Sequence, residues 1–461
     1  MSSSVFNGVY RLEIVDILIK CKFIITLSEL QIIENGSIAI NDGVIVAVGK
    51  DDDISKKFKG EEVIIRDKHI LLPGFVDCHT HTQQFLLKSS ITDYYLQLPP
   101  IWTEFLIPFE EMLGNDLAYL SSLLSVALMA KNGTTFFIEA GAPYPEELIK
   151  AVEQIGLKAA VTCSTFDKGY TKSQDTKSVL RKVERTLRMA KGRVKPWCSI
   201  REIMMSSRDL LDGVKDLCIK YKAGLTYHLG EYQGEVDYSI STYGLRPLEF
   251  FDKIGLTVIK PSVIAHGVFF SGTEIEILRE RRVGICWCPT VDSILMAPHW
   301  LSFEHHGKDL VWGLGTDGAA FTTLDLLHEA KVARAVGKSL SIALTYNKTY
   351  PSSEILIKAL TGFHGRIIGE KTGVIKEGFK ADLITINLDN LPLIPVHDPL
   401  ELVVSFAEGS HVYDVLVDGE FVVKNGKLTR IREEELMEKI WRVLPKIRDL
   451  VSDLKSKLGR E

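Results

Sequence analysis

Short apolar segments alternate with longer helical stretches through the middle of this 461-residue chain, and this alternation restricts the fold more than any other feature. Helical patterns such as DLAYLSSLLSVALMAKN and GTEIEILRERR lie between the apolar segments. Strands separated by helices over about 300 residues predict a (β/α)8 barrel of the TIM type rather than a doubly wound sheet. The eight candidate strands are ILLPGFVDCH, GTTFFIEAG, KAAVTCSTF, KPWCSIREI, GLTYHLGE, SVIAHGV, VGICWCP and LVWGLGTDG.

Both ends of the chain are rich in β-forming residues. Near the start, GSIAINDGVIVAVG places Asn41-Asp42-Gly43 between two alternating runs, and near the end YDVLVDGEFVVKNG places Asp418-Gly419 in the same way. Such turns between alternating apolar runs predict β-hairpins. We therefore expect the two ends to build one small β-sandwich domain, with the barrel inserted between them. The expected limits are 1–68 and 372–431 for the sandwich, 69–371 for the barrel and 432–461 for a C-terminal helical tail.

The tail is a charged amphipathic segment that contains Pro445. We expect a helix that is interrupted at this proline and packs on the barrel. A tail that binds a partner protein is the alternative.

Charge and composition exclude several classes of protein. The net charge of −5 and the absence of a basic run argue against a partner with a phosphate backbone, so no nucleic acid is expected. A run of about 18 uncharged apolar residues is also lacking, which argues against a membrane span. The seven scattered cysteines are expected to be free thiols in a reducing cytoplasm. Whether the protein forms a homodimer is left open by the sequence.

Ionisable residues stand at the ends of four candidate strands. His79 and His81 project from the same face of the first, because alternate residues of a strand share a face. His228, His266 and Asp317 close three others. The carboxyl ends of barrel strands meet at the face where such enzymes place their chemistry. This mixed set of nitrogen and oxygen ligands indicates zinc or iron(II) rather than calcium or magnesium.

Glu231 lies just beyond the strand that carries His228. A carboxyl group there can take a proton from water and pass it to a leaving nitrogen. The alternative for Glu231 is a solvated loop residue.

The motifs PGFVDCHTHTQQ, HLGE, AHG and LGTDG resemble, in order and spacing, those of the amidohydrolase superfamily. The branch that they resemble contains guanine, cytosine and S-adenosylhomocysteine deaminases and triazine hydrolases. The resemblance continues through GLRPLEFFDKIGL to TGFHGRIIGEKTGVIKEGFKADLITIN and covers nearly all of residues 10–430. It implies a barrel with a split β-sandwich, in agreement with the strand pattern.

The resemblance also implies roles for the strand-end residues. His79, His81, His228 and Asp317 would hold one divalent metal ion, zinc or else iron. The catalytic residues would be Glu231, His266 and Asp317: His266 would hydrogen-bond the attacking water, Glu231 would carry protons, and Asp317 would help to deprotonate the water. Binuclear relatives have a carboxylated lysine at the end of the fourth strand, whereas Arg201 stands there in this chain. A mononuclear site is therefore expected.

Three further positions are candidates for substrate contacts. Gln84 follows His81 by three residues, as a base-recognising glutamine does in guanine deaminases. Arg201 stands where the same group has an arginine that meets a ring carbonyl, and Trp102 is placed to stack on a planar ring. The structural alternatives are a polar residue at a strand end, an ion-paired arginine and a core tryptophan.

One segment departs from the family pattern. Relatives have H-[NC]-P-x-S-N, whereas this chain has Cys286-Trp287-Cys288-Pro289-Thr290-Val291-Asp292. That segment borders the substrate in the family, so the departure leaves the exact substrate open. Core packing is expected for Cys286 and Cys288 rather than metal chelation, and His299, His305 and His306 are expected to be loop residues.

The leading hypothesis is metal-dependent hydrolytic deamination of a small heteroaromatic compound, purine-like or pterin-like, such as guanine. The enzymatic alternatives are deamination of an adenosine thioether, such as S-adenosylhomocysteine or methylthioadenosine, and hydrolysis of a triazine-type ring. A non-catalytic binding protein with a degenerate barrel is the alternative from another class. Trp287 and the missing Ser-Asn pair motivate it, and the complete set of strand-end histidines and carboxylates argues against it.

Overall fold

The computed structural model of the chain describes residues 12–29, 31–91, 98, 101–169, 174–296, 310–346 and 350–457. Among these residues the strands are β1 (Glu13–Ile25), β2 (Ile32–Asn41), β3 (Val44–Lys50), β4 (Phe58–Pro73), β5 (Phe75–His81), β6 (Thr134–Glu139), β7 (Lys158–Val161), β8 (Val194–Ile200), β9 (Gly224–Leu229), β10 (Ser262–His266), β11 (Gly284–Trp287), β12 (Trp312–Leu314), β13 (Asp317–Gly318), β14 (Leu383–Asn387), β15 (Val412–Val417), β16 (Glu420–Lys424) and β17 (Lys427–Leu428). The α-helices are α1 (Asp51–Ile54), α2 (Ile107–Met112), α3 (Gly114–Lys131), α4 (Pro145–Ile155), α5 (Thr176–Met189), α6 (Arg208–Tyr221), α7 (Gln233–Tyr243), α8 (Pro247–Lys253), α9 (Gly272–Arg281), α10 (Pro289–Leu295), α11 (Leu326–Thr345), α12 (Ser353–Leu360), α13 (Pro399–Ser405) and α14 (Glu433–Lys457).

The strands β5 to β13 form one parallel sheet whose two outer strands are successive pieces of the chain. Its order is β12-β11-β10-β9-β8-β7-β6-β5-β13. Strand β12 pairs with β11 through Gly313 and Cys286, and β13 pairs with β5 through Asp317 and Thr80. The eighth predicted strand is thus split in two, and its second half returns to the first strand. This arrangement is consistent with the predicted TIM-type barrel, and each of the eight predicted strand segments overlaps at least one of these strands.

The barrel strands are apolar because both of their faces are covered. Every residue of β5, β6, β9 and β10 is buried, which is expected of a parallel sheet flanked by helices. The polar residues His79, His81, His228 and His266 lie in β5, β9 and β10. A buried polar group needs a partner, so these positions mark the site rather than the core.

The second sheet combines both ends of the chain, as predicted. Its order is β17-β16-β15-β14-β4-β1-β2-β3, and the two ends join where β14 pairs antiparallel with β4. The outer parts approach each other, because Ala381 N donates to Gly43 O at 2.9 Å and Gly419 N donates to Ala381 O at 3.0 Å. The two ends form one continuous hydrogen-bonded sheet, because the long strand β4 pairs with both β1 and β14.

Both predicted hairpin turns are present. Asp42 and Gly43 have φ angles of 49° and 70°, and Asp418 and Gly419 have φ angles of 49° and 76°. Two successive residues with positive φ are the mark of a type I′ turn, which favours Asp and Gly. The predicted limits of the domains stay a prediction; strand β4 continues to Pro73, beyond the expected limit at residue 68.

The C-terminal segment forms one helix, α14, that continues through Pro445. The expected interruption was therefore wrong. Leu436 lies before the proline and Ile447 and Leu454 after it, and all three are buried in the main hydrophobic core. The helix stays continuous although the proline removes one backbone hydrogen bond, because buried apolar side chains hold it on both sides of the proline. The expected packing against the rest of the molecule is confirmed.

Within the described part of the chain, no single helix has the length and apolar character needed to cross a membrane. The segments Ile101–Met112 and Gly114–Lys131 meet that test only when taken together, and they are bent by 107° relative to each other.

Candidate active site

The first barrel strand, β5, carries two of the predicted metal ligands side by side. His79 and His81 are 0% and 5% exposed, and their ring centroids are 5.0 Å apart with nearly perpendicular planes. The strand alternation places both imidazoles on the same face, as the sequence predicted.

His228 reaches the same point from β9, four strands away in the sheet. Its ring stacks with that of His81 at 5.3 Å, and the two Nε2 atoms are 3.2 Å apart. Its centroid is 4.7 Å from that of His79. Three imidazoles from two strands therefore face one common point.

Asp317 completes this group from β13. Its Oδ1 lies 3.4 Å from His79 Nε2 and 3.6 Å from His81 Nε2. The ligand atoms of His79, His81 and Asp317 all lie within 4.8 Å of one another. Asp317 has a φ of 54°, so the backbone turns at this residue. The splitting of the eighth strand accompanies this turn.

The protonation states suit a cation. Burial lowers the pKa of His79, and burial together with the charge of Arg201 holds the pKa of His81 well below its usual range. Burial likewise lowers the pKa of His228. Burial raises the pKa of Asp317, but hydrogen bonding and attraction to His79 outweigh it and the net shift is downward. The group therefore contains neutral imidazoles and an ionised carboxylate.

Some of these nitrogen atoms lack a well-formed hydrogen bond within the described residues. Nδ1 of His79 and Nδ1 of His228 have no close partner, and Nε2 of His79 meets Asp317 Oδ1 only at 3.4 Å. Buried polar atoms are usually paired, so the missing partner is expected to be a ligand. Three imidazoles and one carboxylate form the donor set that zinc or iron(II) prefers. The residues fit one divalent metal ion.

His266 is the last residue of β10 and lies beside this group, with its imidazole oriented by a carboxylate. Its Nδ1 lies 2.9 Å from Asp292 Oδ1, at the start of α10, and both side chains are buried. Burial alone would lower the pKa of His266, but the negative charges of Glu231 and Asp292 outweigh it and raise that pKa to about 10. The imidazole is therefore an oriented, positively charged donor.

Glu231 lies just after β9 and is 7% exposed. Its backbone N–H donates to Glu235 Oε2 at 2.8 Å, which holds the loop against α7. Burial raises the pKa of Glu231 to about 7, against the lowering effect of His266. A carboxyl group with a pKa near neutrality can both take up and release a proton.

The three predicted substrate contacts lie in the cavity beside this group. Gln84 Nε2 donates to Glu110 Oε1 at 2.7 Å, and its Oε1 has no partner within the described residues. Arg201 Nη1 lies 3.4 Å from His81 Nδ1 and 3.9 Å from Glu110 Oε2. Trp102 contacts Tyr232 at a centroid distance of 6.4 Å. Their roles toward a substrate stay predictions.

One cavity brings these side chains together. It is lined by His81, Gln84, Leu98, Ile101, Trp102, Leu106, Arg201, Glu202, His228, Glu231, His266, Val291, Leu295, Asp317 and Phe321. Every predicted site residue except the fully buried His79 is in this set.

Sequence reasoning missed Asp292, Glu110 and Glu202. Asp292 lies in the segment that departs from the family pattern, and a carboxylate four residues after Cys288 was a usable signal. Glu202 is a second ionisable residue directly after a strand, which was also a signal. Glu110 had none, because it lies 26 residues from Gln84 on a different element.

The atypical segment contributes less to the cavity than expected. Trp287 is 3% exposed and packs on Trp312 at 6.2 Å, within the hydrophobic core. Cys286 and Cys288 are buried in an apolar cluster with their sulfur atoms 3.9 Å apart. The Cys288 sulfur also lies within 4.8 Å of ligand atoms of His266 and Asp317. His299, His305 and His306 lie outside the described residues.

Comparison with known proteins identifies the family of the chain. Residues 70–422 match the amidohydrolase family. The chain is 31% identical over 420 residues to 5'-deoxyadenosine deaminase of Methanobrevibacter smithii, covering 90% of this chain and 94% of the relative. It is 29% identical over 429 residues to 5-methylthioadenosine/S-adenosylhomocysteine deaminase of Caldicellulosiruptor saccharolyticus, covering 92% and 97%.

Two solved structures share the fold. An adenosine deaminase from Xanthomonas campestris with bound zinc has a TM-score of 0.87 and 23% identity over 95% of this chain and 100% of its own. A guanine deaminase from C. acetobutylicum with bound guanine has a TM-score of 0.79 and 23% identity over 88% and 99%. At this identity the likeness shows the fold alone. The family match and the deaminase relatives show that the chain is a hydrolase of carbon–nitrogen bonds in cyclic amidines and belongs to the amidohydrolase family.

Proposed function

We propose that this protein is a metal-dependent hydrolytic deaminase of an adenosine-type nucleoside that is altered at its 5' position. The observation that carries the reaction type is the grouping of three neutral imidazoles and one ionised carboxylate at the edge of a cavity that the acid–base group Glu231 also lines. The substrate class rests on relatives of 29–31% identity over nine-tenths of the chain, whose names specify 5'-deoxyadenosine, 5-methylthioadenosine and S-adenosylhomocysteine. Guanine, the leading candidate from sequence, becomes the second candidate.

The proposed architecture is a closed (β/α)8 barrel that presents the carboxyl ends of its strands to the substrate. His79, His81, His228 and Asp317 would hold one divalent ion, zinc or iron(II). When bound, such an ion lowers the pKa of water toward about 7 and so supplies a nucleophile at neutral pH. Arg201 supports a single ion, because its positive charge lies 3.4 Å from His81 and disfavours a second cation.

The protein's own side chains carry out the proton transfers of the reaction. The carboxylate of Asp317 accepts a proton from the attacking water, and the charged imidazole of His266 donates a hydrogen bond to the same oxygen. Glu231 protonates the ring nitrogen next to the amino-bearing carbon as the new C–O bond forms. The C–N bond then breaks as Asp317 passes its proton to the amino nitrogen and the hydroxyl proton of the intermediate returns to Glu231, so that ammonia leaves and a carbonyl remains on the ring.

Guanine stays the second candidate because of Gln84. Its buried Oε1 has no partner within the described residues and it lines the cavity. The ring N–H groups of a guanine-type base are donors, and this oxygen is an acceptor for a hydrogen bond from one of them.

Ammonia release from a substrate panel tests the proposal. The panel contains 5'-deoxyadenosine, methylthioadenosine, S-adenosylhomocysteine, guanine and an aminotriazine, with the zinc-loaded and iron-loaded protein. We expect kcat/KM to be highest for the 5'-altered adenosines. A preference for guanine would select the second candidate, and displacement of a triazine substituent would select ring hydrolysis. Binding of these compounds with no product from any of them would favour a non-catalytic binding protein.

A further inference from the structure

Glu202 is a buried carboxyl group in the cavity that the proposed mechanism does not use. It follows Arg201 at the end of β8, and it is 2% exposed. Its Oε1 accepts a hydrogen bond from the backbone N–H of Ile203 at 2.9 Å. Its Oε2 has no hydrogen-bond partner within the described residues. One oxygen therefore stabilises the local backbone, and the other remains for a ligand.

Neighbouring carboxyl groups in the site are placed differently. Glu110 uses one oxygen for Gln84 and points the other toward Arg201. Glu235 holds the backbone of Glu231 and does not line the cavity. Glu202 thus combines burial, an unpaired oxygen and a place in the cavity wall. Buried polar atoms without a partner are rare in folded proteins, and a bound ligand is one explanation of such an atom.

The charges around Glu202 indicate which kind of ligand group fits. Burial, together with the negative charges of Glu235 and Glu231, raises the pKa of Glu202 well above its ordinary range. A ligand N–H or O–H group that donates to Oε2 favours the ionised carboxylate and so lowers this pKa again, and the carboxylate oxygen is then the acceptor. A ligand carbonyl or phosphate oxygen would increase this pKa.

We propose that Glu202 determines specificity by accepting, through Oε2, a hydrogen bond from an O–H or N–H group of the substrate other than the amino group that is hydrolysed. The inference rests on the proposed function. In an adenosine-type nucleoside the donors that remain are the ribose hydroxyls. In a guanine-type base they are ring N–H groups. The shared chemistry is a hydrogen-bond donor away from the scissile C–N bond.

Glu202→Gln tests this directly, because the amide keeps an acceptor for Ile203 N–H and replaces Oε2 with a donor. We expect KM for the preferred substrate to rise about 10- to 100-fold, the usual effect of losing a charged hydrogen bond, with kcat within about 3-fold. For an analogue without the donor, the parent protein should already show the raised KM, and Glu202→Gln should change it by less than about 3-fold.

Glu329→Gln is the matched control. Glu329 is 1% exposed, its Oε2 accepts from Thr290 N at 2.9 Å, and its Oε1 has no partner within the described residues. It resembles Glu202 in all these respects but does not line the cavity. We expect unchanged kcat and KM for this variant, and an equal rise of KM in both variants would overturn the proposal.

A series of substrate analogues distinguishes a ribose hydroxyl from a ring N–H group as the hydrogen-bond donor. The 2'-deoxy and 3'-deoxy forms of the nucleoside remove one hydroxyl at a time, and N1-methylguanine removes a ring N–H. If Glu202→Gln no longer distinguishes the preferred substrate from one of these analogues, the group missing from that analogue is the donor to Glu202. Unchanged discrimination for every analogue, in a parent protein that does release ammonia, overturns the role of Glu202 and leaves the proposed function intact.

A parent protein that releases no ammonia from any compound would instead overturn the proposed function. Calorimetric titration of the same nucleosides and bases into metal-free protein then decides the role of Glu202. A Kd about 10- to 100-fold weaker in Glu202→Gln than in the parent supports it. An equal Kd, or no binding to the parent, overturns it.

Discussion

Glu231 shows how one buried side chain acquires an acid–base function. Its burial raises its pKa to about 7, and the loop that carries it is held through Glu235. Glu231→Gln keeps the shape of the side chain but removes the titrating proton. We expect turnover to fall about 10²–10⁴-fold with the metal content unchanged. Steady-state ammonia assays with metal analysis of the same sample check this, and full activity would remove Glu231 from the mechanism.

Asp292 acts through His266 and is a positioning residue. It holds Nδ1 of the imidazole at 2.9 Å and is itself fully buried. We expect Asp292→Ala to lower kcat about 10- to 100-fold, as for other partners that orient a functional histidine. Asp292→Asn retains an acceptor and should recover part of the loss. A change confined to KM, or equal kcat in both variants, would contradict this role.

At the scale of elements, a buried ion pair joins the barrel to the second sheet. Lys158 at the start of β7 contacts Asp382 at 2.9 Å and Asp418 at 2.6 Å, and the Lys158 and Asp382 side chains are 5% and 1% exposed. Lys158→Met leaves the Asp382 carboxylate buried without its cation. We expect the free energy of unfolding to fall by about 3–5 kcal/mol.

Urea denaturation of the parent, Lys158→Met and a Lys158→Met/Asp382→Asn double variant measures this effect. The double variant removes the uncompensated charge and should be more stable than the single variant. Equal stability of all three proteins would show that the pair contributes little to joining the two sheets.

At the scale of the whole molecule, the metal-ligand group couples folding to metal binding. The buried imidazoles of His79 and His228 have unpaired nitrogen atoms, which is unfavourable without a cation, so we expect chelation to lower the Tm and added zinc to restore it. Asp317→Ala should abolish turnover and make the Tm insensitive to zinc, while circular dichroism shows an intact fold. Differential scanning fluorimetry with and without zinc checks both outcomes. A zinc-dependent Tm in Asp317→Ala would contradict its assignment as a ligand.

The pH dependence of stability is a second property of the whole molecule. Burial raises the pKa of Glu329 to about 8, above the ordinary value of 4.5. Between these values the folded protein binds a proton that the unfolded chain has lost, so this group destabilises the fold progressively as pH rises from 4.5 to 8. Glu329→Gln cannot ionise. Its stability relative to the parent should therefore increase from pH 5 to pH 8, measured by urea denaturation at both values, and a constant difference would contradict the raised pKa.

Much of this protein could be predicted from local sequence because a parallel barrel imposes a simple rule. Strands buried on both faces are apolar, so His79, His81, His228, His266 and Asp317 stood out as polar residues that follow buried segments. Short hairpins were equally accessible, because the Asp-Gly pairs at 42–43 and 418–419 satisfy a backbone requirement that few other residues meet. These features depend on neighbours in the chain.

The features that only the tertiary structure decided involve residues far apart in sequence. Strand pairing across the chain joined the two ends into one sheet through β4 and β14. Packing on both sides of Pro445 kept α14 continuous against its local tendency to break. The partners of His266, Gln84 and Arg201 came from Asp292 and Glu110 on other elements, and the unpaired oxygen of Glu202 became visible only in the assembled cavity. Local sequence determines which residues are polar at a strand end, whereas burial and partner choice are properties of the assembled molecule.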